Sequence, residues 1–146
     1  MKIEKILFPT DFSTRSFSAR EHALYLAQAL DSSVYLLHAI EPLKYEEVDD
    51  EIREFYKTLE TQLGEKMERE KEVFEKRGLR VDTDIVIGQR WKVKNTYAKE
   101  KGIDLIIMGS HGIRTETGEV SVGTTSHKVM FSSPCPVLIV RHGEAR

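Results

Sequence analysis

A single cysteine stands among the 146 residues, so no disulfide can close within the chain. No signal-peptide pattern and no long apolar span is read either, which makes a reducing cytoplasm the expected setting, with no membrane. Cys135 lies between Pro134 and Pro136 ahead of an apolar run, a setting that suits a small buried hydrophobe better than an activated thiolate. Net charge is nearly absent as well: 22 basic residues face 24 acidic ones, so no bulk field draws the molecule towards nucleic acid or anionic lipid. His22, His38, His111, His127 and His142 are scattered, and no pair shows recognised ligand spacing, so the protein alone offers no metal centre. After the first apolar run there is neither the Gly-x-Gly-x-x-Gly of dehydrogenases nor the His-x-Gly-His of adenylating enzymes. Pro9-Thr10-Asp11-Phe12-Ser13 stands there instead, which argues against a redox cofactor and against nucleotidyl transfer.

A composition of 40% hydrophobic and 32% charged residues is that of a globular domain, and a chain of this length fits one domain, 1–146, able to bury roughly two thirds of its unfolded surface. Ile3-Glu4-Lys5-Ile6-Leu7-Phe8, closed by Pro9, predicts a first strand; Ala23, Leu24, Ala27 and Leu30 then recur at helical spacing. Residues 33–40 predict a second strand, stopped by Glu41-Pro42. From about 48 to 77, Ile52, Phe55, Leu59, Leu63, Met67 and Phe74 hold one stripe on a charged background, which predicts a long amphipathic helix with a bend or break near Gly64. Gly78 ends it. Residues 79–87 alternate as a strand, a helix carries Trp91, Val93, Tyr97 and Ala98, and a continuous apolar run at 103–108 makes a strand covered on both faces. A helix from 123 to about 131 and a last strand at 137–140 complete the pattern.

Strands alternating with helices call for a parallel sheet with right-handed crossovers and helices on both faces: a three-layer, doubly wound α/β fold. Ligands of such sheets bind beyond the carboxyl ends of the strands. Two of those ends carry conspicuous polar turns, Pro9-Thr10-Asp11 and Gly109-Ser110-His111-Gly112, and Gly123-Thr124-Thr125-Ser126 opens the following helix. Glycines let the backbone approach an oxyanion, and free N–H groups and hydroxyls at a helix start can bind it, so this constellation reads as a phosphate cradle.

The segments Ile6-Leu7-Phe8-Pro9-Thr10-Asp11-Phe12-Ser13, Leu36-Leu37-His38, Asp104-Leu105-Ile106-Ile107-Met108-Gly109-Ser110-His111-Gly112 and Pro134-Cys135-Pro136-Val137-Leu138-Ile139-Val140 together resemble the universal stress protein family over nearly the whole chain. The resemblance implies a five-stranded, Rossmann-like sheet of order 3-2-1-4-5, of the adenine nucleotide alpha hydrolase-like kind. It implies a cytoplasmic stress-response regulator or sensor that binds ATP or AMP, with or without Mg²⁺, and acts as a homodimer. By the same resemblance Pro9, Thr10 and Asp11 line the adenosine end, with the Asp11 carboxylate near the ribose hydroxyls. Ala39 and Ile40 lie against adenine, and Met108, Gly109 and His111 belong to the site. Backbone N–H groups of Gly112, Gly123 and Thr124, with the hydroxyls of Thr124 and Thr125, take the phosphates. Asp11 has a second reading, as a turn or helix cap, and one residue can do both.

ATP-binding members of the family space the glycines as Gly, two residues, Gly, nine residues, Gly and Ser or Thr; here ten residues separate Gly112 from Gly123. The longer loop also holds Glu116 and Glu119 against Arg114. A carboxylate about 8 Å from a phosphate charge costs roughly 0.5 kcal/mol under water-like screening and about 2 kcal/mol at an effective dielectric of 20. Each hydrogen bond to a charged oxygen contributes about 1.5 to 3 kcal/mol, so several outweigh exposed glutamates. A shorter nucleotide, or Mg²⁺ between a glutamate and the phosphates, eases the repulsion further.

Two rival functions use the same residues. A slow ATP hydrolase would need an acid or base, for which His111 and His127 are the candidates, each also readable as an ordinary polar residue. A non-catalytic interaction protein with a weak or vestigial nucleotide site would need only the surface. In the implied strand order Val137, Leu138, Ile139 and Val140 form an edge, which needs a partner or a cover; the resemblance implies antiparallel pairing with the same strand of a second chain.

Overall fold

The computed structural model describes residues 1–42, 50–110 and 124–141, with only the backbone of Thr124. Five strands, β1 (Lys5–Pro9), β2 (Ser33–Ile40), β3 (Val81–Ile87), β4 (Leu105–Gly109) and β5 (Val137–Val140), form one parallel sheet of order β3-β2-β1-β4-β5. The helices are α1 (Phe17–Leu30), preceded by a short 3-10 turn at Thr14–Ser16, α2 (Asp50–Glu75), α3 (Arg90–Lys101) and α4 (Thr124–Ser132). The layers, the parallel pairing and the strand order are those the sequence and its family resemblance imply.

Alternation along the strands divides the core in two. Ile6, Phe8, Val34, Leu36 and Ile107 face α1 and α2, where they pack on Ala19, Ala23, Leu24, Ala27, Met67 and Phe74. Leu7, Leu37, Ile106 and Met108 face the opposite way, onto Tyr97 and Ala98 of α3 and Val129 of α4. The central strand β1 and its neighbours carry apolar side chains on both faces because helices cover both. Pro9, expected to close the first strand, is its last residue. The β1–β4 ladder registers Ile6 with Leu105 and Leu7 with Ile106, and the N–H that proline lacks falls past it.

The break expected near Gly64 is absent: α2 runs as one helix of 26 residues, about 39 Å at the α-helical rise. A helical glycine costs only about 1 kcal/mol against alanine, and Leu63 and Met67, buried on either side of it, hold that stretch on the sheet. The length that suggested a break is taken up differently. The buried residues of α2 are Leu63, Met67 and Phe74, all in its second half, while Ile52, Tyr56 and Leu59 in the first half are only half-buried.

The helix ends follow from backbone chemistry. Gly102 closes α3 in the left-handed region at φ 66°, and Gly78 reverses the chain after α2 at φ 79°. These turns send each strand back in parallel, so that the strand ends preceding α1, α2, α3 and α4 all lie on one edge.

Candidate functional site

That edge gathers the predicted site residues. Pro9 ends β1 and Thr10 follows it, Ala39 and Ile40 end β2, Met108 and Gly109 end β4, and all six are buried. Thr125, half-buried, lies in the first turn of α4, and the backbone of Thr124 begins that helix. His111, Gly112 and Gly123, with the side chain of Thr124, lie outside the described residues.

The turn after β1 is the most heavily built part of the edge. Asp11 is exposed, and its Oδ1 accepts from the Ser13 backbone N–H at 2.9 Å, the Ser13 hydroxyl at 2.6 Å and the Ser16 hydroxyl at 2.9 Å. Thr10 Oγ1 accepts from the Phe12 N–H at 3.0 Å. Phe12 sits in the left-handed region at φ 63°, a conformation that a bulky residue adopts only where its surroundings impose it. Asp11 therefore serves the turn, its carboxylate held by the residues two and five positions on, while the N-caps of the 3-10 turn and of α1 are Ser13 and Ser16.

His38 locks the same turn from β2. A carbonyl can only accept, so the 2.7 Å contact between His38 Nδ1 and the Thr10 oxygen means that Nδ1 carries the proton. The ring stacks on Phe12 with centroids 4.9 Å apart, which bears out its expected place packed at a strand end. Burial draws its pKa below the ordinary histidine value, opposed by the bond to Thr10 and the charge of Asp11. His38 is thus a neutral positioning group for the Thr10–Asp11 turn.

Two further features were not expected from sequence. Ser126 is buried and its hydroxyl donates to the Gly109 carbonyl at 3.0 Å, while the Ser110 N–H donates to Val140 at 2.9 Å. Together they seat the start of α4 on the ends of β4 and β5. The second is Lys94, half-buried on the second turn of α3, whose ammonium is brought down to about 8, chiefly by desolvation and then by Arg90, against the pull of Asp11 and Glu41. Its signal in the sequence was phase: it precedes the core residues Tyr97 and Ala98 by three and four positions, which puts it on their face of the helix. Arg90 itself pairs with Glu41 at 3.9 Å on the exposed rim.

The same two turns of α3 hold three buried polar atoms with no hydrogen-bond partner among the described residues, Trp91 Nε1 and both amide atoms of Asn95. His127, one candidate acid or base, is exposed on α4 with its ring against Phe131, centroids 5.0 Å apart. Cys135 is half-buried, and burial raises its thiol pKa, as a packing residue requires. Among the described residues no three His, Cys, Asp or Glu side chains gather to hold a metal ion, and no helix is long and apolar enough to cross a membrane. A cavity of about 330 Å³ between Val86, Val93 and Tyr97, rimmed by Gln89, Lys92 and Glu100, lies on the β3 side of α3 and includes none of the predicted site residues.

The fold and sequence have clear relatives. The universal stress protein MJ0577 of Methanocaldococcus jannaschii is 32% identical over 94% of each chain. A solved structure of MJ0577 superposes with a TM-score of 0.88, covering 99% of this chain and 100% of that one at 31% identity. The same fold occurs in a universal stress protein solved in complex with cAMP, at 19% identity and TM-score 0.74, covering 98% of this chain and 100% of the other. It occurs again in one from Archaeoglobus fulgidus solved in complex with dAMP, at 18% identity and TM-score 0.69, covering 95% and 98%. The family model described as universal stress protein matches residues 2–141, and with such coverage the chain belongs to the universal stress protein family.

Proposed function

We propose that this chain binds an adenine nucleotide, ATP or AMP, at the carboxyl edge of its sheet and acts in the cytoplasm as a homodimeric stress-response regulator or sensor. The observation that carries the reading is the convergence of the preformed Pro9-Thr10-Asp11 turn with Gly109, Ser110 and the Ser126-anchored start of α4 on one edge. The residues fit the ligand by chemistry. Buried Pro9, Ala39, Ile40 and Met108 supply apolar surface for a base, the exposed Asp11 carboxylate accepts from ribose hydroxyls, and the opening turn of α4 with Thr125 suits a phosphate. Family members of this fold held with cAMP and dAMP support a nucleotide rather than another anion.

Binding is tested by calorimetry with ATP, ADP and AMP, with and without Mg²⁺, on the parent chain and on Gly123→Val, which places a branched side chain in the glycine cradle. Weakened ATP binding with an unchanged circular dichroism spectrum is expected. Equal affinity in both proteins rejects the cradle.

The homodimer rests on β5, whose Val137, Leu138 and Ile139 are only half-buried at one end of the sheet order, leaving one side of the strand to be paired. Ile139→Pro removes a ladder donor there, and monomers in sedimentation are expected. Dimers that persist put the interface elsewhere.

A further inference from the structure

β3 is an edge of the sheet, and among the described residues β2 alone pairs with it. Just before the strand the Arg80 carbonyl accepts from the Val34 N–H at 2.8 Å, and just after it the Gly88 N–H donates to the Ile40 carbonyl at 2.9 Å. In a parallel ladder alternate residues turn their N–H and C=O groups to the same neighbour, so the even-numbered residues of β3 bond to β2. The backbone groups of Val81, Thr83, Ile85 and Ile87 therefore point outward, away from the sheet.

Edge strands are ordinarily shielded, and this one is shielded on one face only. α2 covers the face of Val81 and Ile85, which pack on the core beneath it. α3 packs chiefly over β2 and α4, which leaves Asp82 and Asp84 exposed on the other face and the cavity of about 330 Å³ open beside Val86. Ile87, at the same end of the strand as that cavity, is 44% exposed. Outward donors and acceptors, a cavity with room for a branched or aromatic side chain and a bare isoleucine thus meet on one unpaired strand, which is the template that strand addition needs.

Charge and register choose the occupant. Two-fold antiparallel pairing with β3 of a second copy, centred on the strand, would set Asp84 against Asp84, and like charges directly opposite each other destabilise a ladder. A basic segment meets the same carboxylates favourably. Residues two apart on an added strand share a face, so a Lys or Arg beside Asp84 puts its second neighbour beside Val86, at the cavity. We propose that β3 is a docking edge for an extended, basic segment of a partner protein, which adds to the sheet beside β3, sets a Lys or Arg against Asp84 and places an apolar side chain in the cavity between Val86, Val93 and Tyr97.

The probe is a synthetic peptide of about seven residues, blocked at both ends, with threonine at every second position and lysine, lysine and leucine between them. Its reverse sequence serves the other strand direction, and glutamate for lysine or serine for leucine makes the controls. Calorimetry and amide hydrogen exchange are measured on the full chain. The basic peptide should slow exchange at Val81, Thr83, Ile85 and Ile87, and each control should bind about fivefold more weakly or worse. Asp84→Lys, at an exposed position, should reverse the preference between the lysine and glutamate peptides. Thr83→Pro removes an outward donor without touching the β2 ladder and should weaken binding about five- to tenfold, with a thermal melt as the check on folding; should it not fold, Asp84→Lys and the exchange pattern still decide. Equal affinity for the basic and acidic peptides, binding without slowed exchange at those amides, or a parent chain that binds none of the peptides overturns the proposal. Protection of the same amides without peptide, rising with protein concentration, gives the edge to a second copy and overturns it equally.

Discussion

At the amino end of the sheet the polar groups answer one another, while at the carboxyl end several do not. Asp104, just before β4, accepts from the backbone N–H groups of Glu4 at 2.9 Å and Lys5 at 3.0 Å, and the Lys5 ammonium donates to the Lys101 carbonyl at 2.9 Å. Arg80 donates to the Ser33 hydroxyl at 3.0 Å, and the Ser32 hydroxyl donates to the Ile3 carbonyl. The carboxyl end has Phe12 in a left-handed backbone, His38 and Lys94 displaced from their ordinary pKa values, and unpartnered polar atoms on Trp91 and Asn95. The same parallel ladders join the two ends, so the pairing itself does not cause the difference. One end is closed by its own hydrogen bonds; the other keeps a costly arrangement, as the proposed ligand site would.

Substitutions sharpen this contrast, and the largest effect belongs to the amino end. Asp104→Ala leaves two backbone donors without their charged acceptor, a loss of about 2 to 3 kcal/mol. The midpoint of thermal unfolding should fall by roughly 4 to 12 °C with nucleotide affinity unchanged. A parallel loss of affinity in calorimetry would dissolve the division of labour.

Asn95→Leu should act in the opposite sense. Replacing an unpartnered buried amide by an apolar side chain of similar size is expected to stabilise the free protein by about 1 kcal/mol, seen as a rise in urea midpoint at constant slope. A lower midpoint would mean that the amide is satisfied and that the carboxyl end is as closed as the amino end.

The smallest effect is a pH dependence. His38 has a folded pKa below its unfolded value of 6.5, so the unfolded chain takes up the proton first and stability is lost as pH falls from about 6.5 towards the folded value. His38→Asn keeps an N–H donor for the Thr10 carbonyl without a titrating ring. Chemical denaturation between pH 5 and 7.5 should show a shallower acid limb for the variant, and identical limbs would remove His38 as the cause.

Elements with sharp chemical borders were legible in the sequence. Ser33–Ile40 and Val137–Val140 have the limits expected, since Glu41-Pro42 and Ser132-Ser133-Pro134 stop the chain from continuing helix or strand. Gly64 misled because a glycine is a weak breaker when Leu63 and Met67 are both packed. Of the site, Thr10, Asp11 and the end of β4 were readable as turns after apolar runs, and His38 as a strand-end packing residue. Lys94 was not, because lysines crowd α3 and only its phase against Tyr97 and Ala98 separates it from Lys92 and Lys99, which face water. Ser126 was counted with a row of hydroxyls, and nothing in one dimension told which of them would reach back to Gly109.

The uneven seating of α2 sets a gradient of protection along a single rod. Amides from Leu63 onwards are held by burial and exchange with deuterium only when the sheet opens, whereas the turns before Leu63 exchange by fraying from the front.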